Sequence, residues 1–448
     1  MVSQKQILQE RVQQLFPALR KDLEDLVRIP SVSADAFDQA HVARSAQAVA
    51  ELLTAQGIED VRVVTAGQSR PAVIARIPAP AGQPTVLLYA HHDVQPPGAD
   101  SAWETAPFEP VERNGRLYGR GAADDKAGIV AHIGALRALG NDLGIGVTVF
   151  IEGEEEIGSP FFTQFLEEFR DDLRADAIVV ADSANWKVGV PALTTSLRGL
   201  VDCVVDVEVT THAVHSGMFG GPVLDSLTLL SRLISTLHTE QGDVAVSGLV
   251  HAPDPTVDYD EADLRADAGV LPQFELAGTG PLTSRLWTKP AISVIGIDAP
   301  SVALSSNTIV PKSSAKLSMR IAPGQDPASA MDALRTHLET HAPFGAKVTV
   351  HDGELGKPFL AKEDTAAMVA ARNAFAQAWG VDPVDIGIGG SIPFIADLLE
   401  VYPHAEILVT GVEDPDSRAH GANESVDLAE LQKVVLAEAL LLSGLKRS

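Results

Sequence analysis

The 448-residue sequence contains 45% hydrophobic but only 5% aromatic residues, and its formal charge of −26 comes from 34 Lys and Arg against 60 Asp and Glu. A surface of this sign repels polyanions, so we expect neither a nucleic-acid partner nor an anionic membrane partner. The length allows two large domains or about three average ones, and the single cysteine, Cys203, cannot form an internal disulfide.

The first predicted element is an amphipathic helix near the N-terminus. Its spacing is typical of a packed helix face, and it lacks the uninterrupted apolar core of a signal peptide. No run in the sequence approaches the roughly 18 apolar residues of a membrane span, and we expect no membrane partner. The single cysteine favours a cytoplasmic protein. The apolar positions of this helix are Ile7, Leu15, Phe16, Leu19, Leu23, Leu26 and Val27.

Short apolar strands then alternate with helices, which predicts a mainly parallel sheet. Most of these strands are followed directly by an acid or a histidine. Asp125 is a candidate N-cap for the helix that follows it. Strands are predicted at 61–64, 72–77, 85–90, 147–151 and 177–181, and helices from Asp125 to about 139 and at 161–173.

From about residue 198 the pattern changes to strict apolar alternation, as in Val201, Cys203, Val205 and Val207. This alternation predicts a sheet with one solvent-facing side and therefore an α+β second domain. We expect domains at 1–195, 196–355 and 356–448, with the middle one inserted into the first. Further elements are predicted as helices at 223–237, 328–340, 365–379 and 427–442 and a strand at 406–409.

Carboxylates and imidazoles at these strand and helix ends form a candidate metal site. Four glutamates within residues 152–156 would ordinarily be a solvated face, but they follow a buried strand at the edge where α/β folds bind ligands. The donor mixture suits borderline divalent metals, with zinc first and manganese or cobalt second. The candidate residues are His91, Asp124, Glu155, Glu156, Asp182 and His420.

With these residues, the chain resembles the M20 family of metallopeptidases, of the cytosolic nonspecific dipeptidase and carnosinase type. The matching segments occur in the family's order over nearly the whole chain. They are 90–96, 117–128, 152–159, Asp182, 215–217 with Gly220 and Gly221, 307–311, 320–323, 389–393 and 419–420.

The resemblance implies an α/β fold in which a mainly parallel-sheet catalytic domain of the zinc-peptidase type carries an inserted α+β lid and dimerisation domain. It implies two divalent metals per subunit, bridged by Asp124 and by a water or hydroxide. His91 and Asp182 would complete the ligands of one metal, and Glu156 and His420 those of the other. It also implies a cis peptide bond between Asp124 and Asp125.

The resemblance further implies that Glu155 is the general base and that Asp93 accepts a hydrogen bond from the His91 imidazole. Glu156 is expected to point away from Glu155 because neighbouring positions at a strand end alternate. The less favoured alternative for Asp93 is a turn-capping residue.

The remaining implied residues lie in or near the inserted domain. His215 would stabilise the oxyanion and, in a homodimer, reach the partner's site, whereas Arg320 would bind the substrate's C-terminal carboxylate. Thr308 and Ser391 match further substrate contacts, and Asn307 is a weaker match. Without the resemblance, His215 would be an ordinary loop histidine and Arg320 an exposed strand arginine.

These residues predict metal-dependent hydrolysis of the amide bond of a small peptide substrate, a dipeptide. Hydrolysis of an N-acyl amino acid is the alternative, since the same groups serve any amide beside a free carboxylate. An inactive metal-binding or amino-acid-binding relative is a further alternative, although it would not need the base Glu155. A two-metal phosphoesterase would require cationic groups for phosphate and fits the charge of −26 poorly.

Overall fold

The structure, a computed structural model, describes residues 3–390 and 393–447. Its internal contacts divide the chain into two compact units. Unit 1 comprises Met1–Thr195, Ala361–Ile386 and Asp397–Ser448, and unit 2 comprises Ser196–Leu360 and Gly387–Ala396. The predicted domain boundaries after residues 195 and 355, and the lid and dimerisation role of the middle domain, stay predictions.

The helices are numbered in chain order. None of them, within the described part of the chain, is long and apolar enough to cross a membrane. They are α1 Gln4–Val27, α2 Ala40–Thr54, α3 Lys126–Leu139, α4 Phe162–Glu168, α5 Ser216–Phe219, α6 Ser226–Ser235, α7 Glu261–Asp267, α8 Pro327–Thr340, α9 Ala366–Trp379, α10 Pro393–Val401 and α11 Leu428–Gly444.

The strands are numbered in the same way. They are β1 Asp60–Val64, β2 Ala72–Ile77, β3 Thr85–His91, β4 Val111–Arg113, β5 Arg116–Tyr118, β6 Gly146–Glu152, β7 Ala177–Val180, β8 Ala192–Leu197, β9 Gly199–Glu208, β10 Val214–His215, β11 Ala291–Asp298, β12 Thr308–Ile309, β13 Lys312–Ile321, β14 Lys347–Gly356, β15 Phe359–Leu360, β16 Val384–Ile388, β17 Glu406–Val409 and β18 Ser425–Asp427.

The large sheet has the strand order β1-β2-β6-β3-β7-β17-β8-β15, and β16 also pairs with β8. The four central strands β6, β3, β7 and β17 run parallel to one another, as predicted. Antiparallel pairs flank them, because β2 runs against β6 and β17 runs against β8. The parallel centre is buried on both faces, which explains why β3 and β6 are nearly continuous apolar runs.

Helix α3 connects this sheet to the rest of unit 1. It is buried along almost its whole length because it packs against α1 and α11 as well as against β3. An aromatic cluster fills the space near β3 and α4, where the rings of Tyr89, Phe150 and Phe162 lie about 6 Å apart. These contacts hold the first turn of α3 and the ends of β3 and β6 in place.

Unit 2 contains a four-stranded antiparallel sheet in the order β11-β13-β9-β14. One face of this sheet packs on α6 and α8, and the alternating residues Val201, Cys203, Val205 and Val207 belong to that core. The predicted alternation is therefore confirmed, and Cys203 is a buried core residue.

Several local predictions were wrong. Helix α4 ends at Glu168 because residues 169–173 tighten into turns. Asp125 precedes α3 but does not cap it with its side chain, since its Oδ2 accepts a hydrogen bond from the backbone N–H of His91 at 3.2 Å. Helix α2 was missed because its apolar face is partly built from alanine, which gives a weak periodic signal.

Candidate metal centre

The candidate site lies in unit 1, at the carboxyl edge of the parallel strands. His91 is the last residue of β3, Glu152 is the last residue of β6, and Asp182 follows β7. Because β6, β3 and β7 are neighbours in the sheet, these three ends meet at one edge. Asp124 stands just before α3, and His420 lies in the loop after β17. Strand ends therefore supply His91 and Asp182, the start of α3 supplies Asp124, and a loop supplies His420.

The structure brings the five predicted ligands into two groups that share Asp124. His91, Asp124 and Asp182 form the first group, and Asp124, Glu156 and His420 form the second. Within each group the donor atoms lie within 4.8 Å of one another.

The contacts around Asp124 have the arrangement that a carboxylate between two cations requires. His91 Nε2 lies 3.1 Å from Asp124 Oδ1, and His420 Nε2 lies 3.1 Å from Asp124 Oδ2. Each oxygen of Asp124 thus faces a different imidazole and a different donor group. Carboxylate and imidazole donors at these separations fit divalent cations such as zinc, and the shared carboxylate fits a pair of them.

The electrostatics of the cluster agree with this fit. Burial opposes a charged His91, but hydrogen bonds with Asp124 and Asp93 outweigh it and raise the pKa of His91 well above its usual value. Hydrogen bonds to Asp124 and Glu156 raise the pKa of His420 to about 11. Conversely, the pKa of Asp124 is lowered, because hydrogen bonds from His420 and His91 outweigh the effect of burial. A bound cation would therefore displace the protons that the imidazoles of His91 and His420 hold against Asp124 and Glu156.

Asp93 connects a ligand to the glutamate run. Its carboxylate accepts hydrogen bonds from the backbone N–H groups of Glu155 and Glu156 at 3.2 and 3.1 Å. His91 Nδ1 lies 3.1 Å from the Asp93 carbonyl oxygen and 3.4 Å from its Oδ1. Asp93 is fully buried, so this arrangement fixes both the orientation of the His91 ring and the backbone of the glutamates.

Glu155 and Glu156 do not stand at a strand end as predicted. Strand β6 ends at Glu152, and Glu155–Ile157 form a single 3-10 turn whose backbone is held by Asp93. The directions of the two side chains therefore follow from the turn, and the prediction from strand alternation was wrong. Glu156 faces His420, with Oε2 3.2 Å from His420 Nε2.

The four glutamates of the run have different surroundings. Glu152 accepts a hydrogen bond from the Tyr89 hydroxyl at 2.7 Å, and Glu154 accepts from the backbone N–H groups of Arg70 and Phe161. No described residue donates a hydrogen bond to the carboxylate of Glu155. Without bound cations, burial, together with the charges of Asp182 and Glu156, raises the pKa of Glu155 to about 9, and cations at the two donor groups would lower it again. Among the four glutamates, Glu155 is therefore the one whose carboxylate is available for catalysis.

Sequence reasoning missed two residues that hold the ligands. The buried Glu424 accepts hydrogen bonds from Arg120 and from three backbone N–H groups of the loop that carries Asp124, those of Gly121, Ala123 and Asp124 itself. Gln95 donates to both carboxylate oxygens of Glu156, through its backbone N–H at 3.0 Å and its side-chain amide at 2.7 Å. In the sequence, only their position a few residues from a candidate ligand points to Glu424 and Gln95.

The predicted residues of the second domain lie in unit 2, where the structure brings three of them together. His215 pairs with Thr308 in the short ribbon formed by β10 and β12, and the Asn307 carbonyl accepts a hydrogen bond from Ser216. His215 is exposed, and its Nδ1 accepts a hydrogen bond from the backbone N–H of Gly217 at 3.0 Å.

Arg320 lies on β13 of the same unit, opposite Leu200 of β9. Its charge lowers the pKa of the neighbouring Arg198, although burial is the larger cause, and that pKa falls to about 10. The Nε of Arg198 donates to the Gly389 carbonyl oxygen at 3.0 Å. Ser391, the remaining predicted substrate contact, lies outside the described residues. The peptide bond between Asp124 and Asp125 is cis, as the resemblance implied.

A comparison with protein families decides the affiliation of the chain. Residues 87–443 match the model of peptidase family M20/M25/M40. The chain belongs to this peptidase family. It is a hydrolase that acts on peptide bonds, and the two donor groups of unit 1 agree with the metal dependence of such enzymes.

Relatives of this peptidase include dipeptidases. It is 35% identical over 366 residues to a cysteinylglycine-S-conjugate dipeptidase of Corynebacterium striatum, with 80% of each chain covered. It is 26% identical over 457 residues to the Cys-Gly metallodipeptidase DUG1 of Saccharomyces cerevisiae, with 94% of each covered. These relatives support metal-dependent hydrolysis of dipeptides, and the alternative of an N-acyl amino acid hydrolase is not favoured.

Solved structures show the same fold. The di-peptidase Dug1p from Saccharomyces cerevisiae superposes with a TM-score of 0.75 at 23% identity, and human carnosine dipeptidase 1 with a TM-score of 0.74 at 24% identity. Each comparison covers 99% of both chains. The predicted α/β fold and the predicted family are confirmed.

Proposed function

We propose that this peptidase hydrolyses dipeptides at the metal centre of unit 1, with Glu155 as the general base. The observation that carries the proposal is the carboxylate of Glu155. It stands beside both donor groups, and no described residue occupies it with a hydrogen bond. A pure binding protein would need the ligands but not this free carboxylate, so we set aside an inactive relative.

The metal ligands in this proposal are His91 and Asp182 for one cation and Glu156 and His420 for the other, with Asp124 shared. Zinc is the first candidate because the donors are imidazoles and carboxylates without a thiolate, and manganese or cobalt is second. Asp124, Asp182 and Glu156 supply three negative charges, and a hydroxide would supply the fourth that balances two divalent cations.

The catalytic role of Glu155 is a proton transfer. Divalent cations held by these donors would supply polarisation of the scissile carbonyl group and acidification of the attacking water. Glu155 takes one proton from that water as the oxygen attacks the carbonyl carbon. The bond between carbon and nitrogen then breaks, and Glu155 delivers the proton to the leaving amine. Asp93 keeps the backbone of Glu155 and the ring of His91 in the required positions during both steps.

The substrate contacts are assigned to residues of unit 2. Arg320 would bind the C-terminal carboxylate in a bidentate pair, and Thr308, Asn307 and Ser391 would add polar contacts. His215 would stabilise the oxyanion, in the homodimer at the partner's site. The resemblance supports these assignments, and so does the ribbon that joins His215 to Thr308.

Replacement of Glu155 tests the base directly. We expect Glu155→Gln to lower kcat by at least about 100-fold while the protein retains its metal, because glutamine cannot accept the proton. Metal content would be measured by elemental analysis, and Glu168→Gln, an exposed change on α4, is the matched control. Turnover that is unchanged in Glu155→Gln would refute the assigned role.

A substrate panel tests the reaction class. Dipeptides, including Cys-Gly and β-Ala-His, would be compared with tripeptides and N-acetyl amino acids by release of free amino acids. We expect dipeptides to have the highest kcat/KM. Faster hydrolysis of the acetylated substrates would replace the dipeptidase with an acylase that uses the same centre.

We also propose that the peptidase is a homodimer. In unit 2, β11 is the edge strand of the four-stranded sheet, and Ile295 and Ile297 on it are 57% and 52% exposed. An edge strand with exposed apolar side chains is a surface on which a second chain can pair. Light scattering should give twice the 47.3 kDa chain mass, and the double variant Ile295→Lys, Ile297→Lys should give the mass of one chain. Full activity at the mass of one chain would refute the dimer.

A cytoplasmic location is part of the same proposal. The sequence has one cysteine, Cys203, and it is buried in the core of unit 2, so the fold does not depend on an oxidising compartment. Cell fractionation that recovers the peptidase outside the cytoplasm would overturn this assignment.

A further inference from the structure

Glu413 is an acid at the edge of the metal centre that the mechanism does not use. It follows β17 in unit 1, and its backbone continues the pairing of β17 with β7 beyond the ends of both strands. The Glu413 N–H donates to the Ser183 carbonyl at 3.4 Å, and the Asn185 N–H donates to the Glu413 carbonyl at 2.8 Å. These contacts place Glu413 beside the residues that directly follow Asp182.

The Glu413 carboxylate has an unusual environment. It is partly buried, and no described residue donates a hydrogen bond or forms an ion pair with it. Burial and the charges of Asp124, Asp182 and Glu424 raise the pKa of Glu413 well above its usual value, while His420 acts in the opposite direction. With no donor from the described residues, the Glu413 carboxylate is available to a cationic group of a ligand.

The other acids around the centre already have partners or roles. The Glu424 carboxylate is occupied by Arg120 and three backbone N–H groups, and Glu154 is occupied by two backbone N–H groups. Each of the two donor groups has three members without Glu413. Glu413 is therefore the acid at this edge that is left for a ligand.

A dipeptide carries a cationic group, its free α-ammonium group, next to the amide bond that is hydrolysed. Its free α-ammonium group is separated from the scissile carbonyl carbon by a single Cα, so the nitrogen lies about 2.5 Å from that carbon. A group that recognises this ammonium must stand directly beside the metal ligands. The same ammonium is the group that an N-acyl amino acid lacks.

We propose that Glu413 binds the free α-ammonium group of the substrate and so selects dipeptides over N-acyl amino acids. This assignment rests on the proposed dipeptidase function. A charge-assisted hydrogen bond between carboxylate and ammonium fixes the amino end of the substrate, as the proposed Arg320 contact would fix the carboxyl end.

The sharpest test uses two substrates that differ only at the amine. Ala-Gly and propionyl-glycine have the same carbon skeleton and the same scissile amide, but only Ala-Gly has the ammonium group. For Glu413→Gln we expect kcat/KM for Ala-Gly to fall roughly 10- to 100-fold, with kcat/KM for propionyl-glycine unchanged. Where propionyl-glycine is hydrolysed too slowly, its inhibition constant against Ala-Gly provides the same comparison.

Two further variants make the result interpretable. Asp416→Asn removes a negative charge from an exposed position on the same loop and should leave both substrates unchanged. Glu413→Asp keeps the charge but shortens the side chain, and its ratio of the two kcat/KM values should lie between those of the parent and Glu413→Gln. Melting temperature and metal content would be measured for every variant.

Several outcomes would overturn the assignment. An equal loss for both substrates in Glu413→Gln would mean that Glu413 acts on the chemistry or the metal, and so would a loss of bound metal. Unchanged rates for both would mean that Glu413 does not contact substrate. Failure of the proposed function looks different, because then the parent protein itself would not hydrolyse Ala-Gly.

Discussion

At the residue scale, the centre depends on single buried side chains that hold two partners at once. Asp93 is the main case, since its carboxylate accepts two backbone N–H groups of the Glu155 turn and its Oδ1 also lies near His91 Nδ1. The proposed base, Glu155, and a candidate metal ligand, His91, are thereby held by the same side chain. A change at Asp93 should therefore affect both metal binding and the catalytic step.

We predict that Asp93→Asn weakens metal binding roughly 10- to 100-fold. An amide offers one acceptor oxygen where the carboxylate offers two, so one of the two N–H groups of the turn loses its partner. Calorimetric titration of the metal-free protein measures the affinity, and kcat at saturating metal should also be lower than in the parent. Asp142→Asn is the control, because Asp142 forms an ion pair with Arg11 and is not one of the residues of the centre. Equal affinity and equal kcat would contradict the role given to Asp93.

His337 gives a prediction on stability and pH. It lies on α8 with its ring stacked on His341, and burial, followed by the charge of His341, lowers the pKa of His337. The unfolded chain, with a histidine pKa of about 6.5, then binds a proton more readily than the folded protein. The stability from neutral His337 is present above about pH 6.5 and is lost as the pH falls below that value.

The measurement is the urea midpoint at pH values of about 7.5 and 5.5. The parent should lose more stability between these values than His337→Gln, in which the side chain cannot titrate. His404→Gln, at an exposed position, should behave like the parent. The same loss in His337→Gln and parent would show that His337 does not contribute.

At the element scale, the metal centre requires β17 and β7 to remain in contact beyond their last paired residues. Gly411 makes this possible, because a Cβ there would lie 1.5 Å from the Ser183 carbonyl oxygen. Any side chain at this position would push the Glu413 segment away from the residues that follow Asp182.

We predict that Gly411→Ala destabilises the protein by about 1 to 3 kcal/mol, the usual range for overpacking. Its kcat/KM should fall as well, because the loop that carries His420 starts here. Gly444→Ala is the matched control, since its Cβ would lie 3.7 Å from the Ala370 side chain, an ordinary contact. Urea unfolding should place the control within about 0.5 kcal/mol of the parent. A parent-like Gly411→Ala would show that the contact between the strand ends is dispensable.

At the scale of the whole molecule, the chain carries a formal charge of −26. Part of this negative charge is concentrated at one sheet edge, where carboxylates from widely separated segments of the sequence come together. Bound cations would offset this charge and would bind the folded protein only, because the donors are apart in the unfolded chain. Metal binding should therefore stabilise the folded state.

We predict that removal of metal by a chelator lowers the melting temperature and abolishes hydrolysis. At free metal near 100 times the Kd, the lost stabilisation is about 2.7 kcal/mol per site. Readdition of zinc should restore both properties, and His420→Gln should show a smaller melting-temperature increase with zinc than the parent. Equal melting temperatures with and without metal would argue against a cation site in the folded protein.

The sequence alone predicted those parts of the protein that depend on local physics. Strands at 72–77 and 406–409 were predicted to the residue, because buried strands are short apolar runs with clear boundaries. The candidate metal donors His91 and Asp182 were also predicted from the sequence, since a polar residue directly after a buried strand must lie at a sheet edge. By contrast, β11 and β14, with many exposed residues, have no such local pattern and were missed.

Only the tertiary structure decided which groups hold the centre together and which are left free. Glu424 meets the Asp124 loop across some 300 residues of sequence, and Glu413 meets the segment after Asp182 across more than 200. No periodicity or spacing records such partnerships, because they depend on how strand ends and loops come together in three dimensions. The same holds for Glu155 and Glu156, whose directions are set by a turn that the carboxylate of Asp93, just after β3, holds in place.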